Sequence, residues 1–288
     1  MPSRPSGAAP RFSDRSRPLF PSLLGLGVLL AFAGSWHLAQ VRPGLLFEAE
    51  SRRHMARFIA GMFPPELSPD FLRLLATPVL ETIQISVMGT VLAVAIGLPL
   101  GLLGTASLTH AGILHDLELG GSRVRRALAA VPYVLARGVL SVFRSIPELV
   151  WAFVFVRAVG LGPFAGVLAI GISYGGMLGK VYSEILENLE QRPGEALHAA
   201  GASRAAVLLY AMIPQSLPQL LSYTLYRWEC AVRASAILGF VGAGGLGQQI
   251  ELSMRMFQFN EVITLVAILF LLVAGVDVLS ERARQAIR

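Results

Sequence analysis

The chain has 288 residues, 54% of them hydrophobic and only 15% charged, with a mean hydropathy of +0.62. A water-soluble domain of this size carries roughly 45–50% apolar and about 25% charged residues, so a soluble fold is excluded and an integral membrane protein is expected. The formal net charge of +6 does not point to nucleic acid, because many basic residues stand at the ends of apolar runs, where they orient spanning helices, and none form an aromatic-interleaved patch.

Residues 1–18, rich in Pro, Ser and Arg, lack the apolar area to fold and read as a disordered cytoplasmic tail. The apolar run Leu19 to Leu38 opens a first anchor over residues 19–40. Its Arg-rich flank and Ala31-Phe32-Ala33 also fit a signal peptide, but the run reaches full spanning length, which favours an uncleaved anchor. Residues 41–77 are expected outside. Within them Met55, Phe58, Ile59 and Met62 recur at helical intervals while Arg52, Arg53 and Arg57 take the other side, the pattern of a helix lying on the membrane surface until Pro64-Pro65 ends it.

A membrane domain over 78–280 follows. Glu81 to Leu103 is a span carrying Gly89, Gly97, Pro99 and Gly101, residues that permit close helix approach or a kink. Thr105 to Arg126, with Asp116, Glu118, Arg123, Arg125 and Arg126, reads as a polar loop. Further spans are expected at Ala127–Val142, Glu148–Val159, Pro163–Ile185, Leu217–Phe240 and Val262–Leu279. The Glu148 segment is too short to cross alone, so Arg144-Ser145-Ile146-Pro147 should break one crossing into two pieces. Counted this way there are about six spans, with both termini inside and residues 281–288 a cytoplasmic tail. The basic segment around Arg52 lands outside and is the one departure from the positive-inside pattern.

Between the spans, Arg192 to Pro214 is a short polar stretch with a helix expected at about 193–204. A polar helix that the membrane excludes suits docking to a soluble partner. Gly242-Ala243-Gly244-Gly245-Leu246-Gly247 matches the dinucleotide fingerprint, but it follows a span instead of a strand, so it reads as a glycine-rich bend beside a water-filled cavity, with an ordinary loop as the bland alternative. Gly179-Lys180-Val181 lacks the hydroxyl of a phosphate-binding loop, and neither a His-Glu-x-x-His pair nor a Gly-x-Ser-x-Gly elbow occurs. The single cysteine, Cys230, excludes an intrachain disulfide and a Cys-based metal cluster. The five histidines, His37, His54, His110, His115 and His198, lie in polar or end regions, which disfavours an intramembrane enzyme acting on lipid phosphate. No catalytic residue, metal site or cofactor is expected.

Charged residues inside spans are costly. Glu229 and Arg233 are spaced to pair with each other on one helix face, whereas Arg227 points elsewhere. An unpaired arginine facing a cavity attracts an anion, and its fork suits phosphate or phosphonate oxygens; a structural salt-bridge cluster is the competing reading. Arg144 and Glu148 at the broken crossing carry the same ambiguity, and Asp277 reads as structural. Arg144, Glu148, Arg227, Glu229 and Arg233, together with Gly242, Gly244, Gly245 and Gly247, form the candidate path or gate.

Glu195-Ala196-Leu197, then Gly201, then Ala211-Met212-Ile213-Pro214 resemble the cytoplasmic signature of binding-protein-dependent ABC importer permeases, Glu-Ala-Ala, three residues, Gly, and a spacer ending in Ile-x-Leu-Pro. Glu195, Ala196, Gly201 and Pro214 match; Leu197 replaces the second Ala, and Ala211 and Ile213 stand for Ile and Leu. Met62 to Pro65 with Glu81-Thr82, Arg144 to Ala152, Gly160 to Gly166, and Tyr226 to Gly247 look like the phosphonate branch. The resemblance implies an all-α, MetI-like type I permease fold, in which the helix at Glu195 couples to separate ATPase subunits. It also implies a periplasmic binding protein, a second permease subunit completing a homodimer in the bacterial inner membrane, and no enzymatic chemistry here. Phosphonate is the expected cargo, with phosphite, an amino acid or another small nutrient as alternatives, because Ala231 and Ser173 stand where the branch often has Asn and His.

Overall fold

The computed structural model describes residues 19–109 and 123–287. The expected tail at 1–18, most of the polar loop with Asp116 and Glu118, and His110, His115 and Arg288 lie outside them. The described residues are helical, without a strand.

The chain divides at Arg57 into two units. The first holds α1 (Leu19–Leu38), a 3₁₀ turn at Pro43–Phe47 and the start of α2 (Ala49–Gly61). Every described side chain of α1 is exposed. The second unit contains α3 (Pro69–Leu74), α4 (Ala76–Leu103), α5 (Ala106–Thr109), α6 (Arg123–Ser145), α7 (Glu148–Val159), α8 (Pro163–Glu187), α9 (Arg192–Ala199) and α10 (Arg204–Val207). A π-helical turn at Leu208–Met212 leads into α11 (Ile213–Gly239), followed by α12 (Gly245–Arg255) and α13 (Phe259–Ile287).

Four helical stretches are long and apolar enough to cross a membrane, and the pair α6–α7 adds a fifth crossing if taken as one bent span, with 89° between its halves. The break falls at the Arg144–Pro147 segment. Proline fixes φ and offers no N–H, so the second half starts afresh after it; Pro147 occupies the N-cap of α7 and its carbonyl accepts from Val150 N–H at 2.9 Å.

The bundle is built on the α4–α8 seam. In lipid, helices gain nothing from hiding apolar surface from one another, so close backbone approach through small residues supplies the attraction. Gly89, Ala93, Gly97 and Gly101 on α4 and Gly171, Gly175 and Gly179 on α8 recur every fourth residue and face each other. A methyl on Gly97 would lie 2.9 Å from the Gly175 carbonyl oxygen. Around the seam Ile85, Ile170, Leu178 and Leu238 are fully buried. The hydroxyls of Thr82 and Thr90, buried on α4, return to the carbonyls of Pro78 and Ser86 at 2.8 and 2.7 Å, whereas Ser173 Oγ on α8 and Trp228 Nε1 on α11 are buried without a hydrogen-bond partner among the described residues. A second cluster, Phe71, Leu75, Leu246, Ile250, Val262 and Leu265, ties α3 and α12 to α13.

Candidate functional site: two ends of a bundle and the charges between them

At one end of the bundle the chain leaves α8, forms α9 and re-enters through the π-helical turn. α9 stops at Ala199, five residues short of the expected boundary at 204. The cause is a Schellman closure: Gly201 takes φ +86°, its N–H donates to His198 O at 2.9 Å, and Ala202 N–H donates to Leu197 O at 3.0 Å. No neighbour lies within 4 Å of where a Cβ would stand on Gly201, so the backbone conformation alone demands glycine there. Glu195, Ala196 and Ala199 are exposed, whereas Leu197 packs with Ala202 and Leu108 against the buried Val207 and Ala211. The helix therefore has an anchored face and a bare, mostly small-residue face. Pro214, exposed at the second position of α11, has no N–H to give to the preceding turn. Ile213 N–H instead reaches five residues back to Leu208 O, and the Gln215 side chain donates to Ala211 O at 3.0 Å.

Beneath α9 sits a clamp that residue spacing did not reveal. Arg137 on α6 donates to both carboxylate oxygens of Glu187, at 2.8 and 2.9 Å, and to Gly104 O at 2.9 Å. Glu187 also accepts from Ala106 N–H at 2.8 Å. The end of α4, the start of α5, the middle of α6 and the end of α8 thus meet at one ion pair, next to the element that leads into α9.

At the opposite end the glycine-rich run is a bend, with Gly242, Gly244 and Gly245 at φ +91°, +84° and +74°. A preceding helix and a cap from α4 make it neither a dinucleotide site nor a free loop. Gly245 N–H donates to Glu81 Oε2 at 2.8 Å and Leu246 N–H to Thr82 Oγ1 at 2.9 Å, so a carboxylate and a hydroxyl satisfy the bare N–H groups that open α12. Gly247 crosses Gly239 so closely that a methyl on it would overlap the Ala236 carbonyl oxygen. Gly162 N–H donates to Gly242 O at 2.9 Å, adding the start of α8 to the knot. An open cavity of about 340 Å³, with Glu81, Gly244 and Gln248 on its walls, lies beside it.

Between the ends, the expected Glu229–Arg233 pair is not formed. α13 runs antiparallel beside α11, so Arg233 donates to Asp277 at 3.2 Å and Glu229 pairs with Arg284, which also donates to Ser280 Oγ at 3.0 Å. Asp277 and Arg284 stand two turns apart on α13 and meet residues one turn apart on α11. Arg227 has no carboxylate within ion-pair distance among the described residues. Its Nε donates to Tyr223 OH at 3.0 Å, and its guanidinium lies 5.4 Å from the Tyr174 ring centre and 5.5 Å from that of Tyr223. On insertion scales a mid-span arginine costs roughly 2.5–3.5 kcal/mol. Cation–π contact recovers about 0.5–2 kcal/mol and leaves the charge itself unneutralised. Arg144 is exposed and Glu148 half-buried at the break, and they do not pair with each other. Among the described residues no group of three or more His, Cys, Asp or Glu side chains could hold a metal ion.

A helical bundle with a capped polar helix at one end, a glycine knot at the other and charge pairs within its spans defines a polytopic membrane transport component. Residues 119–288 match the family described as binding-protein-dependent transport system inner membrane component, and the chain belongs to that family. It is 35% identical over 260 residues to HtxC of Stutzerimonas stutzeri, named for a phosphite transport system, covering 90% of this chain and 84% of that one. To the phosphite transport system permease protein PtxC of the same organism it is 36% identical over 224 residues, covering 77% and 75%. Among solved structures, an inward-facing MetNI methionine ABC transporter chain superposes with a TM-score of 0.61 at 24% identity, covering 77% of this chain and all of that one, a likeness of fold. The chain is thus the membrane-spanning permease subunit of an ABC importer, whose ATPase and substrate-binding protein are separate partners.

Proposed function

We propose that two copies of this chain form the gate of an importer for phosphite or a phosphonate, in the bacterial inner membrane with both termini in the cytoplasm. α9 then faces the cytoplasm and receives two ATPase subunits, while the glycine knot faces the periplasm and the binding protein. α1 serves as an uncleaved anchor, giving a sixth crossing, and α2 lies on the outer membrane surface. ATP binding shifts the population between inward-open and outward-open states because the ATPase contacts the two states differently. The bond chemistry belongs to the ATPase.

The observation that carries the coupling is the two-faced α9: its Glu195–Ala196 face is bare while Leu197 is fastened to the start of α11 through Val207 and Ala211. Small side chains let a groove approach the backbone, and the fastened face passes the displacement to a span. Replacing Glu195 and Gly201 together by alanine removes a charge from the bare face and costs about 1–2 kcal/mol for a non-glycine residue in the left-handed region. ATP hydrolysis in proteoliposomes should then cease to drive uptake, or the ATPase should fail to co-purify; coupling at the wild-type level defeats the docking role. The cargo is supported by the two relatives named for phosphite transport and by the phosphonate-branch resemblance. Uptake of radiolabelled phosphite and methylphosphonate by the complex with its binding protein tests it, and transport of methionine instead of either anion overturns it.

A further inference from the structure

We propose that Arg227 is the station at which the cargo anion pauses inside the membrane, its two terminal guanidinium nitrogens gripping two oxygens of a tetrahedral phosphorus oxyanion. This rests on the anion-import reading above.

Three features converge on it. The first is charge. Arg233 and Arg284, on the same helix interface, each have a carboxylate, whereas Arg227 has none among the described residues. A cation kept at membrane depth without a counter-charge fits a site whose counter-charge arrives with the ligand.

The second is geometry. Tyr223 OH takes the Nε hydrogen, and the Tyr174 and Tyr223 rings flank the guanidinium at 5.4 and 5.5 Å. One edge of the plane is thereby used and its orientation set, while the terminal nitrogens make no hydrogen bond among the described residues. A guanidinium held this way offers two parallel N–H groups, a fork matched to two oxygens on one phosphorus. Tyr174 is itself buried, with 4% of its surface exposed, so the ring behind the fork is a fixed wall.

The third is place. Arg227 lies close to the middle of the 27-residue α11, the depth at which transporters hold substrate. One to two turns towards the α9 end, Tyr223 itself, Ser222 and Gln219 line an open cavity of about 480 Å³ that Arg284 also borders. Hydroxyl and amide donors therefore continue from the fork along the same helix.

The test uses the complete complex of permease, ATPase and binding protein in proteoliposomes, with phosphite and methylphosphonate as probes. Arg227→Gln should assemble and lose uptake by about 10- to 100-fold per assembled complex, the worth of a charge-assisted bidentate contact. Arg227→Lys keeps the charge without the fork and should raise the KM for uptake several-fold. Wild-type uptake kinetics in Arg227→Gln overturn the station. If Arg227→Gln does not assemble, Arg227→Lys decides: a raised KM supports the station, and an unchanged KM overturns it. Failure of the wild-type complex to move either anion sinks the cargo reading instead, so the two failures are distinguishable.

Discussion

α11 and α13 lie side by side and each leaves most of its residues uncovered, with nine of 27 buried in the first and five of 29 in the second, yet their uncovered surfaces differ in polarity. α13 presents Phe270, Leu271, Val278 and Leu279 outward, a surface that hydrocarbon accepts. α11 presents Gln219, Tyr226 and half-buried Ser222 and Arg227, a surface that hydrocarbon rejects. Uncovered surfaces of such unequal polarity mean different surroundings: lipid beside α13, and water or a second subunit beside α11. The seam between them carries the Arg233–Asp277 and Glu229–Arg284 pairs, so each span holds the other's charges away from lipid.

Breaking that seam gives the largest expected effect. Glu229→Ala removes the buried carboxylate that ties Arg284 to α11 and leaves Arg284 with Glu281 on its own helix, a loss of about 1.5–3 kcal/mol for a charge-assisted hydrogen bond. Thermal unfolding in detergent should show a clear loss of stability. Replacing Glu229 and Arg284 together by methionine should restore most of it, since no charge is then stranded. A Glu229→Ala protein as stable as the wild type would show that the pair does not hold the two spans together.

A glycine comparison sharpens the contrast between packed and lipid-facing surface. At Gly97 an added methyl meets Gly175 O at 2.9 Å and Gly179 N at 3.0 Å, so α4 and α8 must separate, an overpacking cost of about 1–3 kcal/mol. At Gly275 on α13 no neighbour lies within 4 Å, and alanine gains helix propensity worth up to about 1 kcal/mol. Gly97→Ala should lower the unfolding temperature and Gly275→Ala should hold or raise it. Equal shifts at the two positions would remove the distinction.

The elements that rest on local pattern were legible in the sequence. Apolar runs marked the long spans, Ile146-Pro147 marked the break, and the glycine run at 242–247 marked the bend. Gly201 was legible as a signature residue, and its left-handed conformation explains why the helix ends before it. What escaped depends on partners far along the chain. Glu81 and Thr82 cap α12 across 164 residues of sequence, Arg137 finds Glu187 across 50, and Arg284 finds Glu229 across 55. The i,i+4 rule paired Glu229 with Arg233 because it weighs only one helix, whereas the register of α13 offered each a partner. α12 itself was missed because eleven residues, apolar at Leu246 and Ile250 and polar between, are too short and too mixed to read as a span. The four-residue spacing of Gly171, Gly175 and Gly179 was a visible signal that pairs with the one on α4.

The smallest effect on the protein, and the most direct reading of the two surfaces, comes from single cysteines. In a Cys230→Ser background, Ser222→Cys on α11 and Leu271→Cys on α13 alter neither the charge pairs nor the glycine seam, so stability should change by less than about 1 kcal/mol. A maleimide needs water and a thiolate to react. Ser222 borders the cavity shared with Gln219 and Arg284, whereas Leu271 is 66% exposed on the face assigned to lipid. Membrane-impermeant maleimide added from the α9 side should therefore label Ser222→Cys readily and leave Leu271→Cys nearly untouched. Labelling should also slow when ATP and the binding protein move the complex outward-open, because the cavity then closes towards that side. If both cysteines resist the reagent in every state, α11 is covered by a partner and not by water. If Leu271→Cys is the one that reacts, the assignment of lipid to α13 is reversed, because polarity would no longer predict which exposed helix meets the aqueous path.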